Sequence, residues 1–166
     1  GEDVYHDKLM GHTFAISSRS FYQVNPVQTE KLYKLAIEAA QLTGEETVID
    51  AYCGIGTISL SLAEKAKHVY AMEVVPDAVK MAEMNAAANN IDNITFEVGA
   101  AEAVMPKWAA EGVKADVLVV DPPRKGLEPA FIEAALEIAP ERIVYVSCNP
   151  ATMARDLQLF HEGGYS

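Results

Sequence analysis

The sequence predicts an α/β fold, a doubly wound and mostly parallel sheet. Short runs rich in Val and Ile alternate, from Val48 onward, with longer stretches rich in Ala, Leu and Met. Several of the short runs are continuously apolar, which suits parallel strands covered on both faces by helices. A glycine turn, Asp50-Ala51-Tyr52-Cys53-Gly54-Ile55-Gly56-Thr57, stands where the first of these strands hands over to a helix. Repeats of this length imply βα units built into one sheet.

Taken in order, Val4–Leu9 and Thr13–Ser17 flank Met10-Gly11-His12 and are expected to form a hairpin, an extension over residues 1–25. Asn25-Pro26 opens a helix, since Asn is a good cap and Pro is tolerated at the first helical position. Leu32, Leu35, Ala36 and Ala39 give that helix an apolar stripe. The βα core spans residues 26–166, with strands expected at Val48–Ala51, Val69–Met72, Ile94–Val98, Val117–Val120 and Ile143–Val146. Between and after them, Ile58–Ala66, Asp77–Asn89, Ala101–Ala110, Pro129–Ile138 and Ala151–Glu162 read as helices, the last stopping at Gly163-Gly164. Ile143–Val146 is as apolar as an interior strand, whereas sheet edges are usually short, charged or covered. Further C-terminal strands are therefore expected beside it, absent from this chain.

The 166 residues suit one domain with a sizeable core. No apolar run approaches membrane-spanning length and no secretion signal stands at the start, so a cytoplasmic protein is expected. Cys53 and Cys148 lie far apart and form no metal-type pair, so neither a disulfide scaffold nor a metal site is expected. Acids outnumber bases 24 to 13, for a net charge of −11. Nucleic-acid binding relies on Lys and Arg. Either the substrate is not a nucleic acid, or this piece holds a cofactor while another part of the protein grips the substrate.

Gly54 and Gly56 let the backbone turn tightly and approach a ligand, and the following helix offers free N–H groups near Thr57. Glu73 closes the second strand, where an acid can accept both ribose hydroxyl hydrogens of a nucleoside. Ser59 stands where a dinucleotide fingerprint wants its third glycine. Asp50 would repel a pyrophosphate and suits a nucleoside whose far end is a cationic amino acid. Asp121-Pro122-Pro123-Arg124-Lys125-Gly126 follows the fourth strand and should face the same crevice, with the prolines holding Asp121 forward. Ser147-Cys148-Asn149-Pro150-Ala151-Thr152 follows the fifth. There Asn149 and Pro150 start a helix whose N-terminal charge favours a Cys148 thiolate. A cysteine in such a place is also often a small buried apolar residue.

Four ordered motifs now stand together: Phe21-Tyr22-Gln23-Val24-Asn25-Pro26, the glycine turn, the Asp121 turn and the Cys148 segment. In that order they resemble the catalytic domain of the RNA 5-methyluridine methyltransferases, which act on tRNA and 23S rRNA. The resemblance spans nearly the whole chain. It implies a Rossmann-like class I methyltransferase fold, S-adenosyl-L-methionine (SAM) as cofactor, RNA as partner, and Cys148 as nucleophile. By the same resemblance Gln23, Tyr52, Thr57, Glu73 and Asp121 line the SAM pocket.

The chain departs from the family pattern. The family's proton-abstracting glutamate lies on a segment beyond Ser166, so this fragment is expected to bind SAM and to turn over poorly by itself. The RNA-binding domain and the cysteines of an iron–sulfur centre found in some members have no counterpart here. Ala100 stands where the family often carries Asp or Asn facing adenine. Two alternatives stay open: a SAM-dependent methyltransferase with another target, such as a base nitrogen or a small molecule, and a non-catalytic binding module. Arg124, where nitrogen methyltransferases place an aromatic, speaks against nitrogen methylation. Arg124, Lys125 and Arg155 are expected at the crevice mouth as a basic rim.

Overall fold

The computed structural model describes residues 12–17, 26–123, 125–147 and 150–165. Six strands, β1 (His12–Ser17), β2 (Thr47–Ala51), β3 (His68–Glu73), β4 (Ile94–Val98), β5 (Val117–Val120) and β6 (Arg142–Ser147), form one sheet in the order β1-β6-β5-β2-β3-β4. Every pairing is parallel. Among the described residues six helices connect or flank them: α1 (Pro26–Ala40), α2 (Thr57–Ala63), α3 (Pro76–Ala88), α4 (Ala101–Ala110), α5 (Pro129–Ile138) and α6 (Pro150–Glu162). The expected core elements are all present, four with the expected bounds and the rest shifted by one to three residues at an end.

Continuous apolar runs become two cores because strand side chains alternate between faces. Val48, Val69, Val117, Val119, Val144 and Val146 point to one side, against Ala36 and Ala40 of α1 and Ile58 and Leu62 of α2. Ile49, Met72, Leu118, Val120, Ile143 and Tyr145 point to the other, against Met105 and Trp108 of α4, Phe131 of α5 and Phe160 of α6. This is the doubly wound arrangement the sequence predicts.

The edge expected to lie open is taken. β1 pairs with β6 from His12↔Arg142 to Ser17↔Ser147, as a parallel neighbour. Val4–Leu9, the other half of the expected hairpin, lies outside the described residues. Among the described residues the neighbour of Ile143–Val146 is this N-terminal segment, where a strand from beyond Ser166 was expected. Backbone N–H and C=O groups of a buried strand need partners from any segment that can reach them. The opposite edge is β4, where Thr95 and the half-buried Glu97 break the apolar run.

The chain winds outward in one direction through β2, β3 and β4 and in the other through β5 and β6. β2 and β5 are adjacent, so the strand order reverses between them. Ligands of open α/β sheets bind beyond the carboxyl ends of the strands at such a switch point. The Asp50–Thr57 and Asp121–Gly126 turns leave those two ends.

Candidate functional site

After β2 the backbone turns through three left-handed residues: Tyr52 (φ 62°), Gly54 (φ 57°) and Gly56 (φ 87°). A tyrosine in this region is strained by about 1–3 kcal/mol and persists only where its surroundings hold it. Here its ring packs on Phe131, centroids 5.9 Å apart, and the N–H of Cys53 donates to the carbonyl of Met72 at 2.9 Å. A Cβ on Gly56 would stand 2.9 Å from the Cβ of Ala82, so glycine there also admits close approach of α3. The turn is therefore tied to β3 and packed against both layers of helix.

Glu73, at the end of β3, holds this turn from the side. One carboxylate oxygen accepts the Gly54 N–H at 3.0 Å and the other the Val75 N–H at 3.1 Å. Its side chain borders a cleft of about 440 Å³, shared with Tyr52, Val74, Ala100, Asp121 and Lys125. Ala100 caps α4 and brings backbone and a methyl group, not a polar side chain, to that wall.

Asp50 lies deeper. It is 2% exposed, and the Ser59 hydroxyl donates to it at 2.5 Å. Burial pushes its carboxyl up to about 7 against the opposing pull of that hydrogen bond, and the neighbouring Asp121 charge adds to the rise. Burial likewise pushes Asp121 up to about 6. Both carboxylates border a second cavity of about 150 Å³ with Tyr33, Cys53, Gly54 and Thr57. Tyr52 and Asp121 border both spaces, so the two adjoin. Among the described residues none of the three acids pairs with a Lys or Arg. The arrangement suits a ligand carrying hydroxyls toward Glu73 and a cation toward Asp50 and Asp121.

The predicted residues thus converge in large part. Tyr52, Glu73 and Asp121 border the larger cleft, and Asp50, Gly54 and Thr57 the smaller. Gly56 is buried behind them and acts through backbone shape. Gln23, Arg124 and Cys148 lie outside the described residues. Cys53 is held as a thiol: burial, then the charges of Asp50 and Glu73, push it up to about 12. Of the expected basic rim, Lys125 borders the cleft and Arg155 donates to the Lys125 carbonyl at 2.7 Å, so these two do meet.

Sequence reasoning missed two residues. Ser59 counted only as a glycine that was not there, whereas it is the hydrogen-bond partner of buried Asp50. Asp156 is fully buried on α6. Its signal was available: an acid inside the apolar stripe Met153, Leu157, Phe160. Among the described residues no group of three His, Cys, Asp or Glu could hold a metal, and no helix is long and apolar enough to cross a membrane.

Comparison with known proteins agrees with this fold. The profile of the family described as tRNA (Uracil-5-)-methyltransferase matches residues 6–163. A protein of Listeria innocua described as an uncharacterized RNA methyltransferase is 60% identical over 165 residues, 99% of this chain and 36% of that protein. One of Lactiplantibacillus plantarum with the same description is 61% identical over the same shares. The chain thus spans about a third of the length of these relatives. Among solved structures, the Pyrococcus abyssi tRNA (uracil-54, C5)-methyltransferase in complex with S-adenosyl-L-homocysteine superposes with a TM-score of 0.68 at 35% identity, over 84% of this chain and 33% of that one. A precorrin-8w decarboxylase of Methanobacterium thermoautotrophicum reaches 0.69 at 22% identity, over 82% and 72%, a likeness of fold alone.

Proposed function

Since the chain belongs to the tRNA (uracil-5-)-methyltransferase family, we propose that it forms the cofactor-holding part of an enzyme that methylates C5 of a uridine in RNA, with SAM as the methyl donor. The observation that carries the reading is the row of three carboxylates, Glu73, Asp121 and Asp50, along two adjoining cavities at the switch point, none with a basic partner among the described residues. Asp50, pushed up to about 7 by burial, and Asp121, pushed up to about 6, are costly to ionise in the ligand-free state. They are repaid when a cation arrives, and the amino acid end and sulfonium of SAM supply one. Glu73 faces the larger cleft, where a ribose would find its acceptor. The residues fit the cofactor.

When bound, SAM supplies an electrophilic methyl group. Of the remaining steps, the nucleophilic one is assigned to this chain. Cys148 adds as thiolate to C6 of the uracil ring, which makes C5 enolate-like and able to attack the methyl group. A base then takes the C5 proton, and Cys148 leaves C6 as the ring recovers its double bond. Cys53 is unsuited to this role, because its environment holds the proton on sulfur. Lys125 and Arg155 at the cleft rim would meet RNA phosphate, while the acidic remainder leaves most of the RNA grip to other parts of the protein.

Two measurements test the proposal. Calorimetry with S-adenosyl-L-homocysteine should give saturable binding to the folded chain, and a null titration at about millimolar ligand, the weak end of the affinity scale, would end the cofactor reading. The complete protein incubated with SAM and 5-fluorouridine RNA should yield a stable adduct, because fluorine cannot be abstracted in place of the C5 proton. Mass spectrometry should place it on Cys148. Methylation that proceeds undiminished in a Cys148→Ala protein would reject covalent catalysis.

A further inference from the structure

We infer that Asp156 is a positioning residue, which clasps the turn from Asp121 to Leu127 against β6 and thereby sets Asp121 in the cofactor cleft; the inference rests on the cofactor reading above. Asp156 is 0% exposed, and a carboxylate is costly to bury unless its lone pairs are filled. Oδ2 accepts the Leu127 N–H at 2.9 Å and the Tyr145 O–H at 2.6 Å. Oδ1 faces the Arg155 guanidinium at 3.4 Å, and that guanidinium also donates to the Lys125 carbonyl at 2.7 Å. One side chain of α6 therefore holds the turn at two points, directly and through Arg155, while gripping β6 at Tyr145.

The backbone of the turn is shaped to receive this clasp. Gly126 sits at φ +86°, and a Cβ there would come 2.8 Å from Oδ2 of Asp156 and 2.5 Å from the Arg155 guanidinium. Asp121 has no hydrogen bond or ion pair of its own among the described residues, and what acts on it is burial. Its place beside Asp50 is therefore set by the backbone on either side, β5 before it and the clasped turn after it. Loss of the clasp frees the second of these supports.

A double-mutant cycle on this chain, read by calorimetry with S-adenosyl-L-homocysteine, tests the inference. Asp156→Ala should weaken binding about tenfold or more, the scale of one or two lost buried hydrogen bonds. Asp156→Asn should recover most of the affinity, since its carbonyl oxygen can accept both Oδ2 bonds. In an Asp121→Asn background Asp156→Ala should cost little further, because the two changes act through one group. Losses that simply add across the two backgrounds overturn the positioning role. Should Asp156→Ala fail to fold, Tyr145→Phe removes one clasp bond and should give a smaller loss with the same non-additivity; an additive loss again overturns the inference. A wild-type chain that binds no ligand defeats the cofactor reading instead, and the inference falls with it.

Discussion

Replacing Asp50 by Asn should make the ligand-free chain more stable while weakening its hold on the cofactor. The carboxyl is 2% exposed and sits at about 7 in the fold against a reference of 3.8. The unfolded chain therefore releases this proton first, and native stability falls as pH rises through that window. Below the lower value both states are protonated and nothing is lost; above about 7 both are ionised and the loss is complete. A difference of about 3 pKa units corresponds to about 4 kcal/mol at 1.36 kcal/mol per unit, with no discount for solvent screening of so buried a group. Asn keeps the Ser59 hydrogen bond and carries no charge. The stability gain of Asp50→Asn over wild type should be small near pH 4, grow toward neutrality and level off beyond about pH 7. For a domain of this size the plateau is worth on the order of 10 °C in Tm. Thermal unfolding of both proteins across that range reads the effect directly. A gain independent of pH, or none at pH 8, would refute the reasoning. In the same samples the affinity for S-adenosyl-L-homocysteine should drop about tenfold or more, from loss of a charge-assisted contact to the ligand's ammonium.

Three further outcomes are expected. Wild-type affinity for S-adenosyl-L-homocysteine should decline as pH is lowered through about 7 and again through about 6, as Asp50 and then Asp121 take up protons and lose their attraction for the cation; calorimetry in buffers of different ionisation heat should also detect proton release on binding near neutrality. Gly56→Ala should cost about 1–3 kcal/mol in urea unfolding, because a Cβ there meets Ala82 at 2.9 Å on a left-handed backbone. Iodoacetamide at pH 7.5 should leave Cys53 largely unlabelled in the native chain and modify it on unfolding, since burial and two carboxylates keep the thiol protonated; peptide mass mapping distinguishes it from Cys148.

The parts legible in the sequence are those set by neighbours along the chain. Strand positions follow from short apolar runs, helix starts from Asn25-Pro26 and Pro129, and the glycine turn from two residues that tolerate a left-handed backbone. Their order alone implies a sheet with its crevice where Asp50, Glu73 and Asp121 emerge, and the fold bears that out. Gln23 and Cys148 rest on the family resemblance.

What tertiary structure decided is contact between residues distant in sequence. His12–Ser17 becomes the neighbour of β6 by a pairing across more than a hundred residues, and no local pattern names a strand's partner. Asp50 is a strained acid only because the sheet sets it inside, beside Asp121 and under Ser59. Asp156 shows in the letters as an acid within an apolar stripe, but its partners appear only when β6 and the Asp121 turn close around it. Backbone preference acts over a few residues and can be read in the letters. Burial, charge coupling and strand pairing act through space, and exist only once the chain has folded.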